Sequence, residues 1–119
     1  MPKKDFSITI ENDSNINHLN VKAIITENEI KYKESDDTIT HFNYEKNILI
    51  RENKELKMTY RFSKNNKTEG TIEVKELQKE IKVLIDTKSI KRNNYNIEIV
   101  FEIEDNHFIY RIEELVWVF

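Results

Sequence analysis

The sequence predicts an all-β fold, an antiparallel sheet that folds into a sandwich or a barrel. Three observations predict it. The 119 residues hold 18 Ile, 6 Val and 8 Thr against a single Ala and 6 Leu, and β-branched side chains favour strands over helices. Apolar residues recur at every second position in run after run. The breaks between runs are short, polar and rich in Asn and Asp, as turns between sequential strands require.

The runs follow one another along the chain. Phe6, Ile8 and Ile10 alternate with Asp5, Ser7, Thr9 and Glu11. Leu19, Val21, Ala23 and Ile25 form the second run, and Ile30 and Tyr32 the third. Leu56, Met58, Tyr60 and Phe62 form the fourth. Tyr95, Ile97, Ile99, Phe101 and Ile103 make a long late run. A period of two marks strands wet on one face, the pattern of antiparallel sheets.

Residues 73–85 carry two patterns. Val74, Leu77, Ile81 and Leu84 have helical spacing. Ile81, Val83 and Ile85 would share one face of a strand from Lys79 to Thr87. The flanking strands favour the second reading, and the basic run Lys88 to Arg92 then reads as a solvated turn. Leu115 to Phe119 is apolar on both parities, which suits a strand covered on both faces or one that pairs with another chain.

Composition excludes several functions. One Gly in the chain leaves no phosphate loop, dinucleotide fingerprint or nucleophile elbow. The absence of Cys removes disulfides, thiolate metal sites and thiol catalysis. With so little glycine, hairpins must turn on asparagine, at Asn28, Asn47, Asn65-Asn66, Asn93-Asn94 and Asn106. The net charge of −3 is spread evenly, so no nucleic-acid footprint is expected. No apolar run approaches the roughly 20 residues of a membrane helix, and the expected location is the cytoplasm. One domain over residues 1–119 is expected.

Order and spacing of short segments carry a resemblance. Tyr32-Lys33-Glu34-Ser35 precedes the Thr38–Tyr44 strand. Asn47-Ile48-Leu49-Ile50-Arg51 comes next, with a turn behind it, and then Lys57-Met58-Thr59-Tyr60-Arg61-Phe62. Thr68-Glu69, Ile85-Asp86-Thr87-Lys88-Ser89-Ile90 and the Ile97–Ile103 strand complete the series. Over roughly residues 18–118 this resembles the YwiB-like family of small bacterial proteins. The resemblance implies a single calycin-like antiparallel barrel of the lipocalin or fatty-acid-binding-protein type. It would have about eight to ten strands in an up-and-down meander, with a lumen able to enclose a small ligand. Asn53 stands where the family pattern has glycine after its arginine.

Arg51 is the leading site residue. The chain uses 15 Lys and 4 Arg, so an arginine on an apolar strand points to its planar, bidentate fork. In a lumen it would hold the carboxylate or phosphate of a small amphipathic or anionic ligand, with a hydroxyl from Tyr60 or Tyr44. Its structural alternative is a pair with Glu52 or a cross-strand acid. Tyr32 lies on the same apolar parity, and Thr87 matches a polar position of the family. His18, His41 and His107 are too far apart to suggest a metal site. Glu113 and Glu114 would point to opposite faces of a strand. Neither a metal, a cofactor nor a catalytic residue is therefore assigned, and an enzyme is the weakest reading. A binding barrel is the first hypothesis. A filled barrel that dimerises through Leu115, Trp117 and Phe119 is the second.

Overall fold

The computed structural model describes residues 3–116. Ten strands run in chain order: β1 (Lys3–Asn12), β2 (Ile16–Ile25), β3 (Glu29–Lys33), β4 (Ile39–Asn43) and β5 (Ile48–Glu52), then β6 (Leu56–Arg61), β7 (Lys67–Val74), β8 (Lys79–Asn93), β9 (Asn96–Ile103) and β10 (Asn106–Glu114). Each pairs antiparallel with its sequence neighbour, and β1 pairs with β10 to close the barrel. The meander follows from the short turns, and closure leaves most of the sheet without an edge.

Period-two alternation sets the two faces. Phe6, Ile8, Ala23, Ile25, Ile30, Phe42, Leu49, Phe62, Ile85, Ile97, Ile99, Phe101 and Ile112 point inward and are buried. Aromatic rings fill the centre. Phe62 and Phe101 lie 4.8 Å apart, Phe101 stacks on Phe108 at 5.2 Å, and Phe42 meets Tyr44 edge-on at 5.1 Å.

Residues 73–85 adopt the strand reading, divided by a turn at 75–78. Strand β7, which the alternation did not reveal, ends at Val74. Strand β8 is longer than expected. The Lys88–Arg92 run lies on it as strand and not as a turn, because a bulge between Thr87 and Ser89 shifts the register and carries the strand on to pair with β9. The closing strand is β10, ahead of the apolar Leu115–Phe119 stretch. Leu115 lies past the strand, its amide bonded to the Asp5 carbonyl at 2.9 Å. Trp117 and Phe119 lie outside the described residues.

Asparagine replaces glycine in the turns by two devices. Asn47, Asn65 and Asn94 take positive φ of 54°, 62° and 56°, as do Asp37 and Asp105 at 66°. Asn12, Asn43 and Asn53 instead accept two backbone N–H bonds each on their side-chain oxygens. Asn28 and Asn66 lie in the connections at negative φ and Asn93 and Asn106 at strand ends beside a turn, while Gln78 and Glu104 take the left-handed conformation without being asparagine.

The one glycine serves packing. Gly70 sits in β7 at ordinary φ. A Cβ there would lie 2.8 Å from Ile85 Cδ1, 3.0 Å from the Thr59 carbonyl oxygen and 3.1 Å from the Tyr60 ring. Gly70→Ala is expected to destabilise the protein by about 1–3 kcal/mol through overpacking. Urea denaturation checks it, and an unchanged midpoint would show that β7 has room to spare.

Candidate functional site

An antiparallel meander puts alternate turns at the same end. The turns at 13–15, 34–38, 53–55, 75–78 and 104–105 form one rim, here the mouth, and the start of β1 and the end of β10 lie at the other end, the base. The mouth is splayed. Strand β2 pairs with β3 only through Ile24 and Ile25, and β8 pairs with β9 only from Asp86 onward. Inward-facing Leu19, Val21, Met58, Tyr60, Val83 and Phe108 are consequently only half-buried.

Arg51 projects into the lumen beneath this mouth. Register places it beside Thr40 on β4 and Met58 on β6, and Thr40 beside Tyr32 on β3. Its fork is occupied: Nε donates to Glu34 Oε2 at 2.9 Å and Nη2 to Oε1 at 2.8 Å. Thr40 Oγ1 donates to the same carboxylate at 2.6 Å. The Glu34 side chain is 9% exposed and that of Arg51 23%. Burial works against the guanidinium charge, but the Glu34 hydrogen bond and charge outweigh it, so the Arg51 pKa is raised. Glu34 stands just past the end of β3, at the start of the turn to β4. The carboxylate therefore comes from the rim, while the arginine comes from the wall.

Deeper in the lumen the Tyr32 and Tyr110 hydroxyls share a hydrogen bond of 2.7 Å, both side chains buried. Tyr32→Phe is expected to cost about 1–3 kcal/mol by orphaning the Tyr110 hydroxyl, and Tyr32→Phe with Tyr110→Phe to recover most of it. Thermal melts of the two variants check the difference. A double variant as unstable as the single would place the loss in packing.

Burial raises the pKa of Tyr32, Tyr44, Tyr60 and Tyr110. Folded values above the unfolded value of about 10 mean that these groups favour the folded state fully below pH 10. That contribution falls as the pH climbs above it. Tyrosinate absorbance from these four is expected to rise together with loss of the β-sheet circular dichroism signal. Ionisation well before unfolding would contradict the burial.

The structure thus brings Arg51 and Tyr32 together and puts Tyr60 nearby, its hydroxyl 3.7 Å from Met58 Sδ. Tyr44 and Thr87 lie elsewhere. The Tyr44 hydroxyl donates to the Tyr95 carbonyl at 2.8 Å, under the Arg92 guanidinium, toward the base. Thr87 Oγ1 accepts the Ser63 amide at 3.3 Å, and its backbone bonds Asn65 and Asn66. Both hold turns at the base. Sequence reasoning missed Glu34 and Tyr110 as partners. Glu34 was visible only as part of a family segment, and Tyr110 falls in a strand whose alternation was not picked out. Among the histidines, His41 pairs with Glu29 at 2.7 Å and His107 with Glu102 at 2.8 Å on the outer surface.

A groove of about 830 Å³ opens outside the mouth, lined among others by Lys33, Asp37, Ile39, Glu52 and Lys75. Two ion pairs line it, Lys33 with Asp37 at 3.1 Å and Lys75 with Glu52 at 2.8 Å, and Asp36, Lys54 and Glu55 add three further charges.

The molecule is a closed, ten-stranded, up-and-down antiparallel barrel with an arginine–carboxylate pair in its mouth. Its fold is similar to that of a solved protein, the ywiB protein from Bacillus subtilis. The likeness spans 96% of this chain and 91% of that one, with a TM-score of 0.56 and 16% sequence identity. At that identity the likeness is one of fold. No protein family matches the chain in sequence, and neither does any curated protein.

Proposed function

We propose that the chain is a calycin-type binding barrel that takes a small amphipathic carboxylate through its mouth, with Arg51 as the anchor. The observation that carries this reading is the origin of the carboxylate now on Arg51. Glu34 belongs to a rim turn, so it can leave the fork without unpicking a strand. A ligand carboxylate offers the same two oxygens to the same two donors. The half-buried Leu19, Val21, Met58, Val83 and Phe108 then supply an apolar wall for its tail. Glu34 acts as a built-in competitor that keeps the arginine satisfied when the barrel is empty, since an unpaired buried charge is costly.

Decanoate titrated by calorimetry tests this. Glu34→Gln, which removes the competing charge, is expected to bind about tenfold more tightly than the natural chain, a gain of about 1.4 kcal/mol. Arg51→Lys keeps the charge but loses the fork, and it should bind at least as much more weakly. Equal affinity in all three, or no saturable binding in any, would overturn the proposal.

A further inference from the structure

We infer that the chain forms a two-fold dimer by pairing the free edge of β8 with the same edge of a second copy. Residues 79–85 pair on one side with β7 (Lys79↔Val74 to Ile85↔Thr68). On the other side β9 begins pairing only at Asp86, and among the described residues no strand covers the edge. The barrel is thus closed around its waist and open along this hairpin, which helps to make the molecule long, 48 Å against 33 and 29 Å. The same hairpin exposes three large apolar side chains, Leu77 at 62%, Ile81 at 51% and Leu84 at 56%. A free strand edge with apolar side chains is a template for strand addition.

Charge selects the partner and the register. Two identical strands joined antiparallel about a two-fold axis must pair residues whose numbers sum to an even value, because paired residues share a face. Centring on Glu80 opposes Glu80 to its copy, and centring on Lys82 opposes Lys82 to its copy. Centring on Val83 opposes Glu80 to Asp86. Centring on Ile81 opposes each Glu80 to the other copy's Lys82, twice, with Ile81 on Ile81 and Lys79 on Val83. Like charges directly opposite destabilise a strand pair and opposite charges support it. Centring on Leu84 would oppose Lys82 to Asp86, but Asp86 already pairs with β9. Among registers confined to residues 79–85, only the Ile81 one has two complementary pairs and no clash. Lysine often guards a strand edge against pairing, but Glu80, two positions from Lys82, turns that guard into a match for this edge's own copy. Among the described residues of the single chain, Lys82 has only a loose contact with Glu69, at 3.6 Å between exposed side chains.

Sedimentation equilibrium over a range of concentrations tests the dimer. The full chain is expected to weigh twice its 14.4 kDa. Lys82→Glu sets four carboxylates in the seam and should weaken association at least tenfold. Glu80→Lys combined with Lys82→Glu restores the complementarity and should restore the dimer. Removing residues 115–119 should leave it intact, which separates this seam from one built on the chain's last residues. Circular dichroism of each variant confirms folding, since positions 80 and 82 are exposed. A monomer at every concentration would overturn the inference. So would a dimer indifferent to Lys82→Glu, or a double variant that stays monomeric while folded.

Discussion

Arg51→Met is expected to lower stability by about 3 kcal/mol, the lower end of the cost of breaking a buried ion pair by removing one partner. For a domain of this size that is a fall in Tm of about 12 °C. The loss arises from what is left behind. Glu34 would either keep a charged carboxylate at 9% exposure with Thr40 as its side-chain donor or turn out to the rim and give up that bond. The low end applies because Arg51 is 23% exposed, so water at the splayed mouth softens the penalty. Removing both charges, as Arg51→Met with Glu34→Leu, should recover most of the stability, because apolar replacements of a buried pair are often neutral or better. Chemical denaturation of the four members of the cycle checks this. A double variant no more stable than Arg51→Met would mean that the pair's packing, and not its charge balance, holds the mouth.

Phe42→Ala is expected to cost about 3–5 kcal/mol, the range for emptying a buried aromatic site. Phe42 is fully buried on β4, 5.1 Å from the Tyr44 ring and 6.0 Å from the Tyr110 ring. It links the base cluster to the Tyr32–Tyr110 hydrogen bond. A closed barrel cannot collapse easily on a cavity, since moving one strand inward strains the pairing on both sides of it. That argues for the upper half of the range, a large part of the 5–15 kcal/mol that domains typically possess. The urea midpoint should fall with the slope unchanged. A loss under about 1.5 kcal/mol would show that neighbouring rings refill the space.

Much of this fold was legible in the sequence. The alternation from Phe6 to Ile10, Leu19 to Ile25 and Tyr95 to Ile103 fixes which residues face inward, because one buried face constrains a strand strongly. What escaped were β7, the alternation of β10 and the true length of β8. The inner face of β7 reads Thr68, Gly70, Ile72, Val74, too polar to alternate visibly. Gly70 is there to let the Tyr60 ring and Ile85 approach. The later part of β8 carries exposed Lys88, Lys91 and Arg92; Lys88 falls at the bulge, while Lys91 and Arg92 pair their backbone with β9.

The site was half legible. A lone arginine on an apolar strand marks a lumen group, and Arg51 is one. Its partner could not be found by local pairing. Glu34 lies 17 residues away and one strand beyond β4, whose Thr40 is the direct neighbour of Arg51. The register across β4, from Tyr32 to Thr40 to Arg51, brings the β3 rim within reach of β5. Tyr44 and Thr87 share parity and polarity with lumen groups, but the strand direction carries them to the base, a distinction that a period of two does not encode.

The most direct measurement is a crystal structure of the chain grown with saturating decanoate. The account predicts the decanoate carboxylate on Arg51 Nε and Nη2, the Glu34 side chain turned out to the rim, and the alkyl tail along Leu19, Val21 and Met58. Glu34 still paired with Arg51 and a lumen free of decanoate would contradict it.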